Sequence, residues 1–319
     1  MSEGGRSVFV NAPDGLRLHV REYGAANASA VTVVCLPGLT RTVADFDVLA
    51  PALAYGDVAP HARQPAARRV IALDSRGRGL SDYDPNPENY ALPVELGDLI
   101  AVLSALAVGR AVFIGSSRGG LLTMHLALAR PAAIAGVVFH DIGPVIEPKG
   151  IARLKSYVGK LREPRDFADG ADILRQLFHD QFPKLTAEQW LAFAQRSWRE
   201  REPSLKAGGA LVPTYDVRLS RTLDALDTGQ PLPAAWTAFD ALARVPILVI
   251  RGARSDILSA ETVAAMAARH PGLEAIEVPD QGHVPLLEGA PIARIAAFVG
   301  RCESSLKAPA QRRGKTGRP

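Results

Sequence analysis

The chain reads as an α/β protein: a mostly parallel, doubly wound sheet of about eight strands, with a helical cap inserted after the sixth strand. Three observations carry this expectation. Short apolar runs alternate with helix-length segments through most of the 319 residues, the pattern of strands joined by helical crossovers and covered on both faces. That alternation breaks once, between Asp141 and about Leu242, where amphipathic helix-like segments take over. The apolar run Ala111 to Ile114 also leads straight into Gly115-Ser116-Ser117-Arg118-Gly119, followed by a helical pattern.

Taken in order, Val8-Phe9-Val10 and Leu16 to Val20 alternate around Pro13-Asp14-Gly15, which predicts an antiparallel hairpin. Val31 to Leu36 is the third strand. A helix near Phe46 to Ala54 precedes the strand Arg69 to Asp74, while residues 55–68 are longer and richer in Pro and Ala than a simple connection needs and read as a surface excursion. Leu92 to Leu106 is a helix, Ala111 to Gly115 the fifth strand, and Leu121 to Leu128 continues as a helix that ends before Pro131. Ala135 to His140, Val245 to Gly252 and Leu273 to Val278 complete the strands. The expected organisation is a first core part over 1–141, a cap over 142–242, a second core part over 243–300 and a tail over 301–319. In the cap, Phe167, Leu174, Leu177, Phe178, Phe182, Trp190, Phe193 and Trp198 recur near helical spacing. They predict internal packing, with some rings facing a pocket under a lid.

The Gly-x-Ser-x-Gly turn is a nucleophile elbow in pattern. A serine between strand and helix sits on a turn so sharp that its neighbours two positions away must be small, and the following helix offers N–H groups to a negative charge. A serine hydroxyl needs a base, and the base needs a carboxylate to fix its tautomer. Downstream, Asp256 follows the strand that ends at Gly252, and His283 follows the strand that ends at Val278. Ser117, Asp256 and His283 therefore all lie beyond C-terminal strand ends, which a parallel sheet gathers on one edge. Asp141, after the sixth strand, is the rival acid. Asp280 reads as a turn residue, and the remaining histidines fall in no metal-ligand spacing.

These residues resemble the α/β-hydrolase family, over about residues 7–300. The order serine, acid, histidine matches, as do Leu36-Pro37-Gly38-Leu39-Thr40, similar to the family's oxyanion loop, and Asp74-Ser75-Arg76-Gly77-Arg78-Gly79-Leu80-Ser81-Asp82, similar to its Asp-x-Arg-Gly-x-Gly-x-Ser segment. Two departures stand out: Pro37-Gly38 where many relatives carry His-Gly, and Arg118 where they carry Met or Gln. The resemblance implies Ser117, Asp256 and His283 as catalytic residues, the backbone amides of Leu39 and Arg118 as the oxyanion hole, and neither metal nor organic cofactor. It implies hydrolysis of a carboxylic ester or lactone of a small to medium, mainly apolar molecule through an acyl-enzyme. Carbon–carbon bond hydrolysis of ring-cleavage diketones and a ligand receptor on the same scaffold are the alternatives; dehalogenase and epoxide hydrolase readings require Asp at position 117. The Arg118 guanidinium has two open roles, binding a substrate carboxylate or pairing with a local acid such as Asp141.

Composition sets the remaining bounds. With 47% hydrophobic residues the chain can fill a sizeable core. No apolar run is long enough to span a membrane and the first residues lack a signal-peptide core, which predicts a cytoplasmic protein. Cys35 and Cys302 are an improbable disulfide pair. The sequence pI of about 9.2 comes from the tail: residues 301–319 hold six cations against Glu303, whereas the whole chain is only +4. Nucleic acid is therefore not an expected partner, a small-molecule substrate is, and the tail has the composition of a disordered segment.

Overall fold

The computed structural model describes residues 4–56, 67–201, 211–224, 226–227, 229–230 and 232–307. Continuous apolar runs build the centre of the eight-stranded sheet and alternating ones its two edges. Its strands are β1 (Arg6–Asn11), β2 (Arg17–Tyr23), β3 (Thr32–Leu36), β4 (Val70–Leu73), β5 (Ala111–Ser116) and β6 (Ile134–His140), followed after a long insertion by β9 (Ile247–Gly252) and β10 (Glu274–Val278). The spatial order is β1-β2-β4-β3-β5-β6-β9-β10. β2 is antiparallel to both β1 and β4, and every later pairing is parallel.

Successive side chains on a strand point to opposite faces, so the central strands feed two cores. Val34, Leu36, Phe113, Val137, Phe139 and Val249 face one way, onto α2 (Leu92–Ala105), α3 (Arg118–Ala129), α8 (Trp236–Asp240) and α9 (Ala260–Arg269). Val33, Cys35, Val112, Ile114, Leu248 and Ile250 face the other way, onto α1 (Leu49–Tyr55) and α10 (Ala290–Lys307). The chain passes from β3 to β4 on one side and then returns to β5 on the other. The C-terminal ends of β3 and β5 thus flank a topological switch point, where open α/β sheets leave a crevice.

Between β6 and β9 lie α4 (Pro148–Tyr157), α5 (Phe167–Phe178), α6 (Ala187–Ser197), the two-stranded ribbon β7 (Trp198–Glu200) and β8 (Leu211–Pro213), α7 (Arg221–Asp224) and α8. α5 is capped by the Asp166 side chain, and α6 by a reciprocal Thr186–Gln189 capping box. Ile173, Leu174, Phe178, Phe182, Trp190, Ala194, Trp198 and Leu211 form their own buried cluster.

One sequence expectation changes. The polar tail was expected from residue 301, but α10 runs to Lys307 because Cys302 and Glu303 turn inward, Cys302 onto the sheet and Glu303 towards Arg68. Residues 308–319, and residues 57–66 of the expected surface excursion, lie outside the described residues. Among the described residues no helix is long and apolar enough to cross a membrane.

Candidate active site

The turn from β5 into α3 imposes the site's geometry. Ser117 has φ 48° and ψ −115°, a left-handed conformation costly for a non-glycine residue. The surrounding glycines make it possible by contact distance. A Cβ on Gly119 would stand 2.1 Å from the Leu36 carbonyl oxygen, and one on Gly115 2.5 Å from the Gly120 nitrogen. The Ser117 amide is anchored to the His140 carbonyl at 3.0 Å. The side chain is thereby held at the strand ends.

His283, in the loop after β10, meets it. Its Nε2 accepts from Ser117 Oγ at 2.8 Å, and its Nδ1 lies 2.7 Å from Asp141 Oδ2. A carboxylate can only accept, so Nδ1 carries the proton and Nε2 is left as the acceptor facing the hydroxyl. The imidazole loop is also held from the inserted segment, where Gln181 Oε1 accepts from the His283 amide at 3.3 Å.

The acid that meets His283 is Asp141, and Asp256 is elsewhere. Asp141 follows directly on β6, wholly buried, with φ 55°. Gly252 N–H donates to its Oδ1 at 2.7 Å and Ser255 Oγ to its Oδ2 at 2.6 Å. The loop after β9 therefore turns the Ser255 hydroxyl, not the Asp256 carboxylate, toward Asp141. The Asp256 carboxylate instead receives Arg153 of α4 through Nε at 2.5 Å and Nη2 at 2.8 Å. Burial acts to raise its pKa, and the Arg153 guanidinium outweighs that and holds it below the ordinary value. Both carboxylates follow strands that end on this edge, and the structure brings Asp141, the rival acid of the sequence, to His283.

His140, unassigned from sequence, lies beneath this row. Its Nε2 donates to the Pro285 carbonyl at 2.8 Å, so its Nδ1 accepts from Ser116 Oγ at 2.6 Å. Burial pushes its pKa down to about 4. A neutral imidazole thus ties β5, β6 and the His283 loop together.

Leu39 and Arg118 flank Ser117. Gly38 packs on Ser117: a Cβ there would lie 3.5 Å from Ser117 Cβ. Arg118 opens α3, whose first amides have no intrahelical acceptor. One buried ion network joins both positions. Arg78 Nε donates to the Leu39 carbonyl at 2.8 Å and Arg78 Nη1 to Glu95 Oε1 at 2.6 Å, while Arg118 Nε donates to Glu95 Oε2 at 2.6 Å. The Arg118 guanidinium also caps the Tyr90 carbonyl at 2.8 Å. Of the two roles left open for it, pairing with a local acid is what the structure shows, and the acid is Glu95. Burial acts to raise the Glu95 pKa, and the two guanidiniums hold it below the ordinary value.

A cavity of about 380 Å³ opens over Ser117 and His283. Leu174, Phe178, Phe193 and Trp198 of the inserted segment line it, whereas Phe182 and Trp190 belong to that segment's own core. Leu174, Phe178 and Trp198 thus pack in that cluster and line the cavity as well, and Phe193 packs against the cluster and lines the cavity. Among the described residues there is no group of three or more His, Cys, Asp or Glu placed to hold a metal ion.

A strand-end serine, a tautomer-fixed histidine and a buried carboxylate at a switch-point crevice define a hydrolase of the α/β type. The chain belongs to the alpha/beta hydrolase family, whose model matches residues 33–298. It is 34% identical over 291 residues to a 3-hydroxybutyrate-oligomer hydrolase of Cupriavidus necator, covering 89% of this chain and 94% of that protein. An sn-1-specific diacylglycerol lipase of Danio rerio is 23% identical, over 79% of this chain and 72% of that one. Among solved structures, an alpha/beta hydrolase from Novosphingobium aromaticivorans superposes with a TM-score of 0.83 at 39% identity, covering 94% of this chain and 99% of its own.

Proposed function

We propose that the protein is a serine hydrolase of carboxylic esters, with Ser117 as nucleophile, His283 as general base and Asp141 as the acid that orients it. The observation that carries this reading is the unbroken pair of hydrogen bonds, 2.8 Å from Ser117 to His283 and 2.7 Å from His283 to Asp141. His283 takes the hydroxyl proton as Ser117 attacks the ester carbonyl, and Asp141 stabilises the imidazolium that forms. The developing oxyanion is received by the backbone amides of Leu39 and Arg118, as the family resemblance implies; each such donor is worth about 3–4 kcal/mol in the transition state. His283 returns the proton to the leaving alkoxide. It then activates water, which releases the acid and regenerates the serine.

The cavity's size and the apolar part of its wall, Leu174, Phe178, Phe193 and Trp198, suit a short acyl ester. The similarity to an oligomer hydrolase over nearly the full length of both chains supports short oligoesters of hydroxyalkanoic acids as the substrate class. Turnover of p-nitrophenyl butyrate tests the first step. The wild type should hydrolyse it, label once with a fluorophosphonate probe by intact mass, and lose both properties in Ser117→Ala. A folded wild-type protein that neither turns over nor labels refutes the assignment.

A further inference from the structure

We propose that Arg196, braced by Arg41, forms a subsite for a single carboxylate carried by the substrate that Ser117 attacks. This rests on the reading of Ser117 as the nucleophile. The contacts form a continuous path along the cavity wall. Gly38 lies against both Ser117 and the Arg41 side chain: a Cβ there would stand 3.3 Å from Arg41 Cγ. Arg41 grips Asp45 through Nε at 2.7 Å and Nη2 at 2.5 Å, donates from Nη1 to Ser197 Oγ at 3.0 Å, and stacks on Phe193 at 4.8 Å. Three of its five N–H groups are committed, and its position is fixed. Arg196 stands on the far side of Asp45, with Nε 3.6 Å from Oδ1.

That contact is too long for a hydrogen bond, and Asp45 is already matched to Arg41. Among the described residues no acceptor takes any N–H of Arg196, although its side chain is only 21% exposed. The other anions near it are committed. Asp47 receives Arg21 at 2.8 Å and the Tyr23 hydroxyl at 3.0 Å, and Glu288 receives Gln189 Nε2 at 3.0 Å without reaching Arg196 in an ion pair. Burial is the leading influence on the Arg196 pKa and lowers it, more than the nearby carboxylates raise it. A planar guanidinium with free parallel donors, in the wall of the cavity that holds Ser117, is suited to a two-point grip on a carboxylate. The surrounding Asp45, Asp47 and Glu288 oppose a dianion such as a phosphate monoester, which sets the ligand class at one negative charge.

The test compares two substrates with the same scissile bond: the linear dimer of 3-hydroxybutyrate as its free carboxylate, and as the primary amide of that carboxyl. In the wild type the ratio of kcat/KM, carboxylate over amide, should be about 10 or more, carried mainly by KM. In Arg196→Gln that ratio should fall by about 10- to 100-fold, the loss expected for a charge-assisted pair, and Arg196→Lys should recover part of it. A wild-type ratio near one, or the same ratio in Arg196→Gln, overturns the subsite while leaving the esterase reading in place. If the wild type cleaves neither dimer and Ser117 takes no fluorophosphonate, the nucleophile reading fails separately. Binding of the 3-hydroxybutyrate anion by ligand-observed NMR then decides the subsite: loss of binding in folded Arg196→Gln supports it, and equal binding or none in the wild type overturns it.

Discussion

The assignment of the acid gives the sharpest perturbation, because Asp141 and Asp256 compete for one role and Asp→Asn changes almost no volume. At position 141 an amide has two orientations, and each fails. With its oxygen toward His283 it still accepts from Nδ1–H and Ser255, but its NH2 then faces the Gly252 N–H, and two donors meet at a site where a 2.7 Å hydrogen bond existed. That leaves a buried donor unpaired, at about 1–3 kcal/mol. With the NH2 toward His283, Nδ1 must become an acceptor, the proton moves to Nε2, and the ring can no longer accept from Ser117. In both orientations the imidazolium loses a wholly buried negative charge. By analogy with a triad acid neutralised in another hydrolase, kcat should fall by about 10³–10⁴, or about 4–5.5 kcal/mol of transition-state stabilisation. Asp256→Asn breaks the pairing with Arg153 and should lower stability while changing kcat by less than about 10-fold. Steady-state hydrolysis of p-nitrophenyl butyrate, with circular dichroism to establish folding, separates the two. A larger kcat loss in Asp256→Asn than in Asp141→Asn refutes the argument.

Four further outcomes follow from the same contacts. Glu95→Gln removes the charge between Arg78 and Arg118; urea unfolding should show a loss of about 3–5 kcal/mol, and because the network grips Leu39 and Arg118, kcat should drop by about 10-fold with little change in KM. The folded-state pKa of His140 lies near 4 against an ordinary 6.5, so between those values the unfolded chain takes up a proton that the folded chain refuses. Stability from this group is present in full above pH 6.5 and declines as pH falls toward 4, by about 3 kcal/mol in total; urea midpoints at pH 7 and 4.5 should differ less in His140→Gln than in the wild type. Gly119→Ala forces a methyl to 2.1 Å from the Leu36 oxygen and should yield aggregated protein, or folded protein that a fluorophosphonate no longer labels. Phe193→Ala removes a ring stacked between Phe178 and Trp190 on the cavity wall, and in a series of p-nitrophenyl esters the preferred acyl chain should lengthen.

Much of this architecture was legible because it rests on local chemistry. The elbow is written in five residues: a strand, two glycines that sterics demand, and a serine that no other feature of the turn requires. His283 was readable for a related reason, since a Gly-His pair after a strand in a parallel sheet lands on the same edge. The acid was harder. Asp141 and Asp256 both follow strands that end on that edge, and nothing local tells which carboxylate turns inward. The choice is made by partners far away in sequence: Arg153 draws Asp256 to α4, 103 residues distant, while Gly252 and Ser255 fix Asp141 from more than 100 residues downstream. Arg118 illustrates the same limit from the other side. Its residue type suggested an anion, and the anion turned out to be Glu95, buried on α2 and shared with Arg78. A buried carboxylate between two guanidiniums leaves no pattern in sequence, because each charge is tolerable inside only through the other two. Arg196 follows from the same rule with the opposite result. Its nearest carboxylate is already claimed by Arg41, which leaves its N–H donors for a carboxylate that enters the cavity.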